Sequence, residues 1–563
     1  MRSRKKRQNR ILTAAAAVLV LLILTLGGFE AYRIYGPSRT RMSEEELFGV
    51  SGEKTAILYQ YELQKAFALT KDGVTYLPVE WVQSILNKRF YWDEAEQLLV
   101  YALPEEVVKI PLSEADDAGK PLMLYESDKL WLSTGLISSY TDIRIEVFNG
   151  GDVKRVFLES AGGTETSAAV RGRTFLRSRP SIKGDITADA AARTELRFIP
   201  DHAGSTADPE KWQRVMTPDG FTGYVQKKRL YAPTEHEVED SFVAPVYTSL
   251  SLQQPVLLGW HQVLTDRENS RLENLSADAR GMNVISPTWF TLKGNEGSFD
   301  STASAEYVAK AHAAGLQVWP LISNLDDSVT LGTVLAKTSV REKIISELMS
   351  EADLYGFDGI NIDFELLKKS AVKQYLEFIR ELSAACRTRG LYLSVDVPNA
   401  QSYNWHYDRT ELGVFCDYVI NMGYDEHTSG DDPGSTSSIS FFREGLEQTV
   451  DAAGAAKTIA AVPFYTRLWK TDQNGKVTSE AMSQGGAADW VEKNGVKLEW
   501  DETCGQYTGE LRTDSGDLFQ IWMEDAKSMQ LKKEEVRSAG AGGIACWRLG
   551  LETKDMWEIL SAQ

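Results

Sequence analysis

The segment DGINIDFE, residues 358–365, alternates polar with apolar side chains, and its inward candidates are Asn361, Asp363 and Glu365. Side chains two positions apart on a strand point to the same face. A charge on Asp363 would disfavour ionisation of Glu365 and keep its proton available for donation near neutral pH. The segment therefore predicts a general acid supported by a neighbouring carboxylate. The alternative is a polar plug that caps a strand.

Eight apolar, strand-like runs alternate with amphipathic helical segments between residues 253 and 563. This order is typical of βα units and predicts a (β/α)8 barrel of the α/β class, with an insertion at residues 470–525. Such barrels carry their chemistry at the carboxyl ends of the strands. The predicted strands are Val256 to Val263, Met282 to Phe290, Leu316 to Ser323, Gly359 to Glu365, Leu391 to Asn399, Asp417 to Asp425, Thr458 to Thr466 and Gly542 to Gly550.

The fourth of these runs resembles the DGxDxDxE signature of glycoside hydrolase family 18, the chitinase-like fold. The motifs VISPTWF, VPFYTRLW and CWRLGLE are similar to those of bacterial cell-wall and spore-cortex N-acetylglucosaminidases. The resemblance implies that Glu365 protonates the glycosidic oxygen and that Asp363 orients the substrate's own N-acetyl group. In that family the acetamido oxygen attacks the anomeric carbon, so no second protein carboxylate acts as nucleophile.

The sixth run, NMGYDEH, keeps the Met-x-Tyr-Asp pattern of that family as Met422, Tyr424 and Asp425. The resemblance implies that the Tyr424 hydroxyl donates to the acetamido carbonyl and that Trp547 forms an apolar floor under the sugar. A core tyrosine and a buried core tryptophan are the alternatives for these two residues. The chain departs from the family at Asn361, where the pattern has an aspartate; asparagine cannot share a proton with Asp363.

Aromatic side chains at or after strand ends are candidates for stacking on sugar rings. We expect Trp289 and Tyr465 first among them, with Trp260 and Met422 as further substrate contacts beside Asn361 and Trp547. The aromatic candidates as a group are Trp260, Trp289, Tyr403, Trp405, Tyr465 and Trp469.

The N-terminus combines a basic decapeptide with an uncharged apolar stretch at residues 11–29. The stretch is long enough to cross a bilayer as a helix, and its exit, GGFEAYRIYG, is a poor cleavage site. We therefore predict a transmembrane signal-anchor, with residues 1–10 as a cytoplasmic tail and the remaining chain outside the cell membrane. A cleaved and secreted form is the alternative.

Two small modules are predicted upstream of the barrel. Residues 44–150 form an α+β module, and the phrase YLPVEWVQSILNKRFYWDEAEQLLVY resembles the N-terminal domain of copper amine oxidases, without metal ligands. Residues 165–232 show short β runs separated by turns and predict a small barrel. Their ending resembles bacterial SH3 domains at Trp212, Val215 and the Gly-Tyr-Val strand of residues 223–225.

Composition excludes several classes of partner and site. The net charge is −19 although the first ten residues carry six basic groups, and an acidic body repels nucleic acid. The four cysteines lack CxxC spacing, so we expect mostly buried apolar thiols, with one disulfide open if the body is exported. We expect neither a metal site nor a cofactor.

These features together favour an extracytoplasmic retaining glycosidase that cleaves N-acetylglucosamine-containing glycan of the cell wall, most of all peptidoglycan. Chitin and other N-acetylglucosamine glycans are alternative substrates. The rival class is a non-catalytic scaffold that binds the wall, because chitinase-like barrels elsewhere have become lectins. Such lectins commonly lack the acid, which this chain has as Glu365.

Overall fold

The computed structural model describes residues 2–202, 204–205 and 207–561. The chain divides into two compact units, one built from residues 1–88 and 112–244 and the other from residues 89–111 and 245–563.

A single long helix, Arg2–Tyr35, begins the first unit. Its segment Leu12–Tyr35 has a mean hydropathy of 2.4 and none of its apolar window is buried, so it is long and apolar enough to cross a membrane. A signal sequence would have the same length and composition. Both versions of the N-terminal prediction therefore fit this helix.

Seven strands of the first unit form a mixed sheet in the region of the predicted α+β module. The strand Arg155–Glu159 pairs in parallel with Lys54–Tyr59, so the sheet extends past the predicted boundary at residue 150. In spatial order the strands are Met123–Glu126, Lys129–Ser133, Val74–Pro78, Glu62–Lys71, Lys54–Tyr59, Arg155–Glu159 and Arg144–Phe148. The helices of this part are Glu44–Phe48, Val79–Trp81, a π-helical turn at Val82–Leu86, and Thr134–Tyr140.

A second sheet of seven strands occupies the region in which the SH3-like module is predicted. The strands Trp212–Met216 and Thr222–Gln226 pair antiparallel across the predicted hairpin, with Val215 opposite Gly223. The SH3-like identity stays a prediction. In spatial order the strands are Ile186–Ala190, Thr174–Arg177, Thr222–Gln226, Trp212–Met216, Glu195–Phe198, Gly163–Ala169 and Thr234–Val238, with a 3-10 turn at Lys227–Arg229.

Eight parallel strands of the second unit close into a barrel, as predicted. Strand β8 pairs with both β7 and β1, which closes the ring. The third strand is interrupted after Val318, because Pro320 has no N–H to donate to a ladder. The strands are β1 (Val256–His261), β2 (Val284–Pro287), β3 (Gln317–Val318 with Leu321–Ser323), β4 (Gly359–Asp363), β5 (Tyr392–Pro398), β6 (Tyr418–Met422), β7 (Thr458–Pro463) and β8 (Gly543–Trp547).

Helices surround the barrel and cover the outward side chains of its strands. In β4, Ile360 and Ile362 point outward into this outer core, whereas Asn361 and Asp363 point inward. The helix Val372–Arg389 ends at Gly390, whose φ of 68° favours glycine. The helices are Leu272–Ser276, Ala305–Ala313, Leu331–Val334, Thr338–Tyr355, Val372–Arg389, Arg409–Phe415, Ile439–Ala453, Ala526–Ser538 and Asp555–Ser561, with 3-10 turns at Asp266–Arg271, Lys369–Ala371, Trp405–Tyr407 and Ala455–Lys457.

Two further sets of strands are attached to the barrel. A short hairpin of Phe290–Lys293 and Ser298–Ser301 pairs beside β3. Between β7 and β8 an antiparallel sheet of five strands forms with the helix Gln484–Asn494, where the insertion at residues 470–525 is predicted; its first strand already begins at Tyr465. The strands of the insertion are Tyr465–Thr471, Val477–Ser483, Leu498–Asp501, Gln506–Arg512 and Leu518–Trp522.

The four cysteines are all free thiols. Cys386, Cys416 and Cys546 are buried, and Cys504 is half-buried. Burial raises the pKa of the Cys386 thiol to about 12. Three of the four cysteines are therefore buried, as the sequence predicts, and the four form no disulfide with one another.

Residues 89–111 lie within the span of the predicted upstream module but pack with the barrel as part of the second unit. Their three strands, Tyr91–Asp93, Leu98–Ala102 and Val107–Pro111, form a separate sheet. The Tyr91 hydroxyl donates to the carbonyl of Ala336 at 3.0 Å. The buried Asp93 carboxylate accepts from the Thr338 backbone N–H at 2.6 Å and from its hydroxyl at 2.7 Å, at the start of the helix Thr338–Tyr355.

Asp93→Ala should lower the free energy of unfolding by about 1.5–3 kcal/mol, because a buried charged acceptor is lost and two donors at a helix start lose their partner. The full-length protein in detergent, unfolded by heat or denaturant, measures the effect. Asp117→Ala, at an exposed turn position, is the matched control. A loss no larger than that of the control would contradict the role given to Asp93.

Candidate active site

A cavity of about 260 Å³ opens at the carboxyl ends of the barrel strands. Its wall brings together most of the residues predicted for chemistry, from β1, β4, β6 and β8, which lie far apart in the sequence. The lining residues are Trp260, Leu321, Asp363, Glu365, Asp396, Pro398, Asn399, Tyr403, Met422, Tyr424, Asp425, Phe441 and Trp547.

Asp363 and Glu365 lie where β4 ends. Asp363 is the last residue of the strand and is buried, and its Oδ1 has no hydrogen-bond partner among the described residues. Glu365 lies just beyond the strand, where Asn324 holds its backbone: the Glu365 N–H donates to Asn324 Oδ1 at 2.8 Å, and Asn324 Nδ2 donates to the Glu365 carbonyl at 3.0 Å. The backbone is thus fixed from both sides while the carboxyl group faces the cavity.

The carboxyl groups of this site hold their protons more tightly than free acids do. Burial, followed by the charge of Glu365, raises the pKa of Asp363 to about 8. Burial, followed by the charge of Asp425, raises the pKa of Glu365. A carboxylic acid that is still protonated near neutral pH can donate that proton to a reacting oxygen. The pair is therefore suited to general acid catalysis.

Asn361 is fully buried and lies below the cavity rather than in its wall. Its Oδ1 accepts from Trp260 Nε1 at 2.9 Å and from the Ser286 hydroxyl at 3.2 Å. Its Nδ2 donates to the Ser394 hydroxyl at 3.1 Å and to Asp396 Oδ1 at 2.8 Å. The predicted substrate contact at Asn361 is thus replaced by a bridge that joins four strands of the ring.

Asp396 belongs to the site, but the sequence analysis did not predict it. It is a buried residue on β5 and lines the cavity. Its signal was present, because Ser394 and Asp396 alternate with apolar residues in LYLSVDVPN just as the polar residues of β4 do. Burial and the charge of Asp363 raise the pKa of Asp396 well above its usual range.

Tyr424 and Asp425 follow β6 at the cavity wall. Burial raises the pKa of the Tyr424 hydroxyl far above its usual value, so this group stays a donor. Asp425 has a φ of 61° and accepts from the Tyr465 hydroxyl at 2.5 Å. Tyr465 does not line the cavity, so its place is behind Asp425, which it anchors, rather than against the substrate.

The aromatic candidates divide into wall and core. Trp547 and Met422 line the cavity, and Trp260, which also reaches the wall, packs edge-on against Trp547 with ring centroids 5.8 Å apart. Trp289 lies elsewhere: it belongs to the outer core, and its Nε1 donates to Asn269 Oδ1 at 2.8 Å. The structure gives Trp289 a packing position, contrary to the expectation of a sugar contact there.

Three further aromatic residues were named for stacking. Tyr403 is 72 % exposed and lines the cavity, and Trp405, two residues on, is 61 % exposed. Trp469 is buried, and its Nε1 donates to the Gly434 carbonyl at 2.9 Å. Tyr403 is therefore the candidate of this group at the cavity, and Trp469 is a core residue.

The comparisons with known proteins agree with this geometry. The model of the glycosyl hydrolases family 18 matches residues 266–552, half of the chain. Over 291 residues the chain is 24% identical to the uncharacterized glycosylase YvbX of Bacillus subtilis (strain 168), which covers 50% of this chain and 84% of that protein. Over 254 residues it is 27% identical to a cortical fragment-lytic enzyme of the same organism, with coverage of 43% and 59%. The chain thus spans about three-fifths of the second relative.

Among solved structures, a chitinase from Chromobacterium violaceum ATCC 12472 aligns with 22% identity and a TM-score of 0.49. The alignment covers 54% of this chain and 98% of that one.

Proposed function

Because the chain belongs to the glycosyl hydrolases family 18, we propose that it is a membrane-anchored, extracytoplasmic glycosidase that cleaves after N-acetylglucosamine in peptidoglycan with retention of configuration. The observation that carries this proposal is the pair of carboxyl groups at one wall of the barrel cavity, the buried Asp363 and the half-buried Glu365, both with raised pKa. The relative described as a cortical fragment-lytic enzyme supports a cell-wall glycan as substrate. The helix Leu12–Tyr35 supports the anchor.

In the first step Glu365 donates its proton to the glycosidic oxygen as the bond to the anomeric carbon breaks. Its pKa is raised by burial and by the charge of Asp425, which favours the protonated form that a general acid needs. The acetamido oxygen of the same sugar attacks the anomeric carbon, and an oxazolinium ion forms. Glu365, now a carboxylate, then takes a proton from the water that opens the ring, which restores the acid and retains the configuration.

Asp363 and Tyr424 position the acetamido group in this mechanism. The unpartnered Oδ1 of Asp363 is an acceptor for the acetamido N–H. The Tyr424 hydroxyl, which stays protonated, donates to the acetamido oxygen. Trp547 supplies an apolar surface beneath the ring, and Met422 lies beside it in the same wall. No protein carboxylate is needed as a nucleophile.

The full-length protein in detergent, incubated in parallel with purified peptidoglycan and with chitin oligomers, tests the substrate. We expect a higher kcat/KM on peptidoglycan, and NMR of the first product should show the β-anomer of a β-linked substrate. A preference for chitin would move the substrate to the alternative class. The α-anomer would contradict the retaining mechanism. Binding of either glycan without turnover would favour the scaffold.

Asp425→Asn should move the alkaline limb of the pH profile of kcat/KM to lower pH. After burial, the charge of Asp425 is the cause that raises the pKa of Glu365. The acid works only while protonated, so activity is present below its pKa and is lost as the pH rises through it. Asparagine still accepts from the Tyr465 hydroxyl, so the substitution removes the charge and keeps the contact.

The profile is measured with soluble N-acetylglucosamine oligomers, and Asp327→Asn, at an exposed position away from the cavity wall, is the control. An unchanged alkaline limb in Asp425→Asn, or an equal shift in the control, would contradict the electrostatic role of Asp425.

A further inference from the structure

We propose that Asp396 is a positioning residue of the catalytic cavity: from β5 it supplies a third carboxyl group, in place of one at residue 361 on β4, and it titrates together with the Asp363 and Glu365 pair. The inference deepens the proposed glycosidase function and rests on it. Asp396 acts through its neighbours and takes no part in bond breaking.

The first support is the hydrogen bonding of Asn361, which is complete. Both of its amide protons and both acceptor positions of its oxygen are used by Ser394, Asp396, Trp260 and Ser286. An amide carries two donors and one doubly accepting oxygen, so Asn361 has nothing left to offer Asp363. Any proton exchange or charge coupling with Asp363 from this side must come from another group.

The second support is the position of Asp396. Only 2 % of Asp396 is exposed to solvent. Its Oδ1 lies 2.8 Å from Asn361 Nδ2. The charges of both Asp363 and Glu365 act on it, so the three carboxyl groups form one electrostatic set. Three acids in a pocket of low dielectric do not all ionise together, and their titration belongs to the set rather than to one residue.

The described surroundings of the set are mostly acidic or phenolic. Arg467 Nη2 lies 4.0 Å from Asp425 Oδ1, and the buried Arg409 donates to the carbonyl of Pro398 in the cavity wall at 2.5 Å. Besides the three carboxyl groups themselves, the titratable groups that face the set are Tyr424 and Asp425 from the end of β6, Tyr375 from the helix Val372–Arg389, Tyr407 from the turn Trp405–Tyr407, and Tyr465 from the insertion.

Asp396→Asn tests the charge without removing the contact, because the new amide oxygen still accepts from Asn361 Nδ2. We expect kcat to fall on the order of 10²-fold, with little change in KM, and the alkaline limb of the profile to shift because the set has one acid fewer. A purely structural role for Asp396 would leave both unchanged, since its hydrogen bond survives. An unchanged kcat and profile would overturn the proposal.

The double variant Asn361→Asp with Asp396→Asn, called the exchange variant, is the sharper test. It moves the carboxyl group from β5 to β4, so that residue 396 now donates the hydrogen bond and residue 361 accepts it. The Ser394 and Ser286 hydroxyls, Trp260 Nε1 and the new amide can all donate to a carboxylate at 361. We expect the exchange variant to recover most of the kcat lost in Asp396→Asn. An exchange variant no better than Asp396→Asn would overturn the proposal.

Asn361→Asp alone is the second single variant and keeps the test decisive if Asp396→Asn does not fold. It places two carboxyl groups within hydrogen-bond distance, so the set gains a charge and the alkaline limb should move to higher pH. Near-UV circular dichroism of the full-length protein identifies folded variants. A folded Asn361→Asp with the wild-type profile would overturn the proposal.

A readout that does not depend on turnover separates this inference from the proposed function. Carboxyl groups whose pKa is raised by folding favour the native state when protonated, and this contribution is lost as the pH rises towards the pKa of about 8 of Asp363. Asp396→Asn removes one such acid, so its Tm should exceed that of the wild type by more at about pH 8 than at about pH 5.

Asp300→Asn is the control for this Tm difference, because the side chain of Asp300 is 74% exposed. If the wild type hydrolyses no glycan but the Tm difference appears, the proposed function fails and the electrostatic set stands. If hydrolysis is present and the Tm difference is absent or equals that of the control, the inference about Asp396 is overturned while the proposed function stands.

Discussion

Replacing Glu365 with glutamine should lower kcat by about 10²- to 10⁴-fold and leave KM and the fold nearly unchanged. The amide has the size of the carboxyl group but cannot give up a proton to the glycosidic oxygen, and this range is typical for the loss of a general acid. The backbone bonds that Asn324 makes to residue 365 do not involve the side chain, so they persist in the variant. Turnover of N-acetylglucosamine oligomers measures the effect.

The leaving group provides an internal check on the role of Glu365. An aryl glycoside with a strongly acidic phenol as leaving group needs little protonation, so its kcat/KM, which reports the first step, should fall far less in Glu365→Gln than that of an oligosaccharide. Activity is compared as kcat/KM because glutamine also lacks the base needed for the second step. The matched control is Glu502→Gln, at an exposed position of the insertion, which should retain full activity. Wild-type turnover of oligosaccharides by Glu365→Gln would contradict the mechanism.

Asp363→Asn should lower kcat on the order of 10²- to 10³-fold on oligosaccharides and on aryl glycosides alike. Asp363 orients the acetamido group for its attack on the anomeric carbon, and substrates with either leaving group need this step. Its buried Oδ1 is unpartnered and ready to accept from the substrate. The same kinetic assays that characterise Glu365→Gln measure the effect.

The contrast between the two variants distinguishes their roles. A good leaving group should restore activity to Glu365→Gln and should not restore it to Asp363→Asn. Restoration in both variants would show that Asp363 merely helps to protonate the leaving group. If the aryl glycoside restores activity to neither variant, Glu365 is not the proton donor.

The sequence was sufficient to predict the barrel and the inward face of β4 because both depend on local periodicity. Alternation within β4 assigns Asp363 to the inner face, and the closed ring then places it beside β5, β6 and β8 at one end. The same alternation in β5 pointed to Asp396, but it could be read only once the strands were known to be neighbours.

Residues beyond the strand ends could not be placed in the same way. Trp289 lies two positions after β2, where the period-two rule no longer fixes a face, and it turns into the outer core. Tyr465 begins the first strand of the insertion rather than ending β7, so its hydroxyl reaches Asp425 from outside the ring. These placements depend on tertiary packing.

The packing of residues 89–111 on the barrel also could not be predicted from local sequence patterns. Asp93 and Thr338 are 245 positions apart, and neither shows a pattern that indicates the other. A boundary drawn at residue 150 from turn residues could not anticipate a sheet that takes its last strands from residues 144–159.

The activity proposed for this chain is hydrolysis of N-acetylglucosamine glycan of the cell wall with Glu365 as the acid. Its most direct test is mass spectrometry of the ends released from purified peptidoglycan by the full-length protein in detergent, beside Glu365→Gln. We predict reducing N-acetylglucosamine ends with the wild type and none above background with the variant. Equal release by both proteins, or release of reducing muramic acid ends alone, would contradict the account.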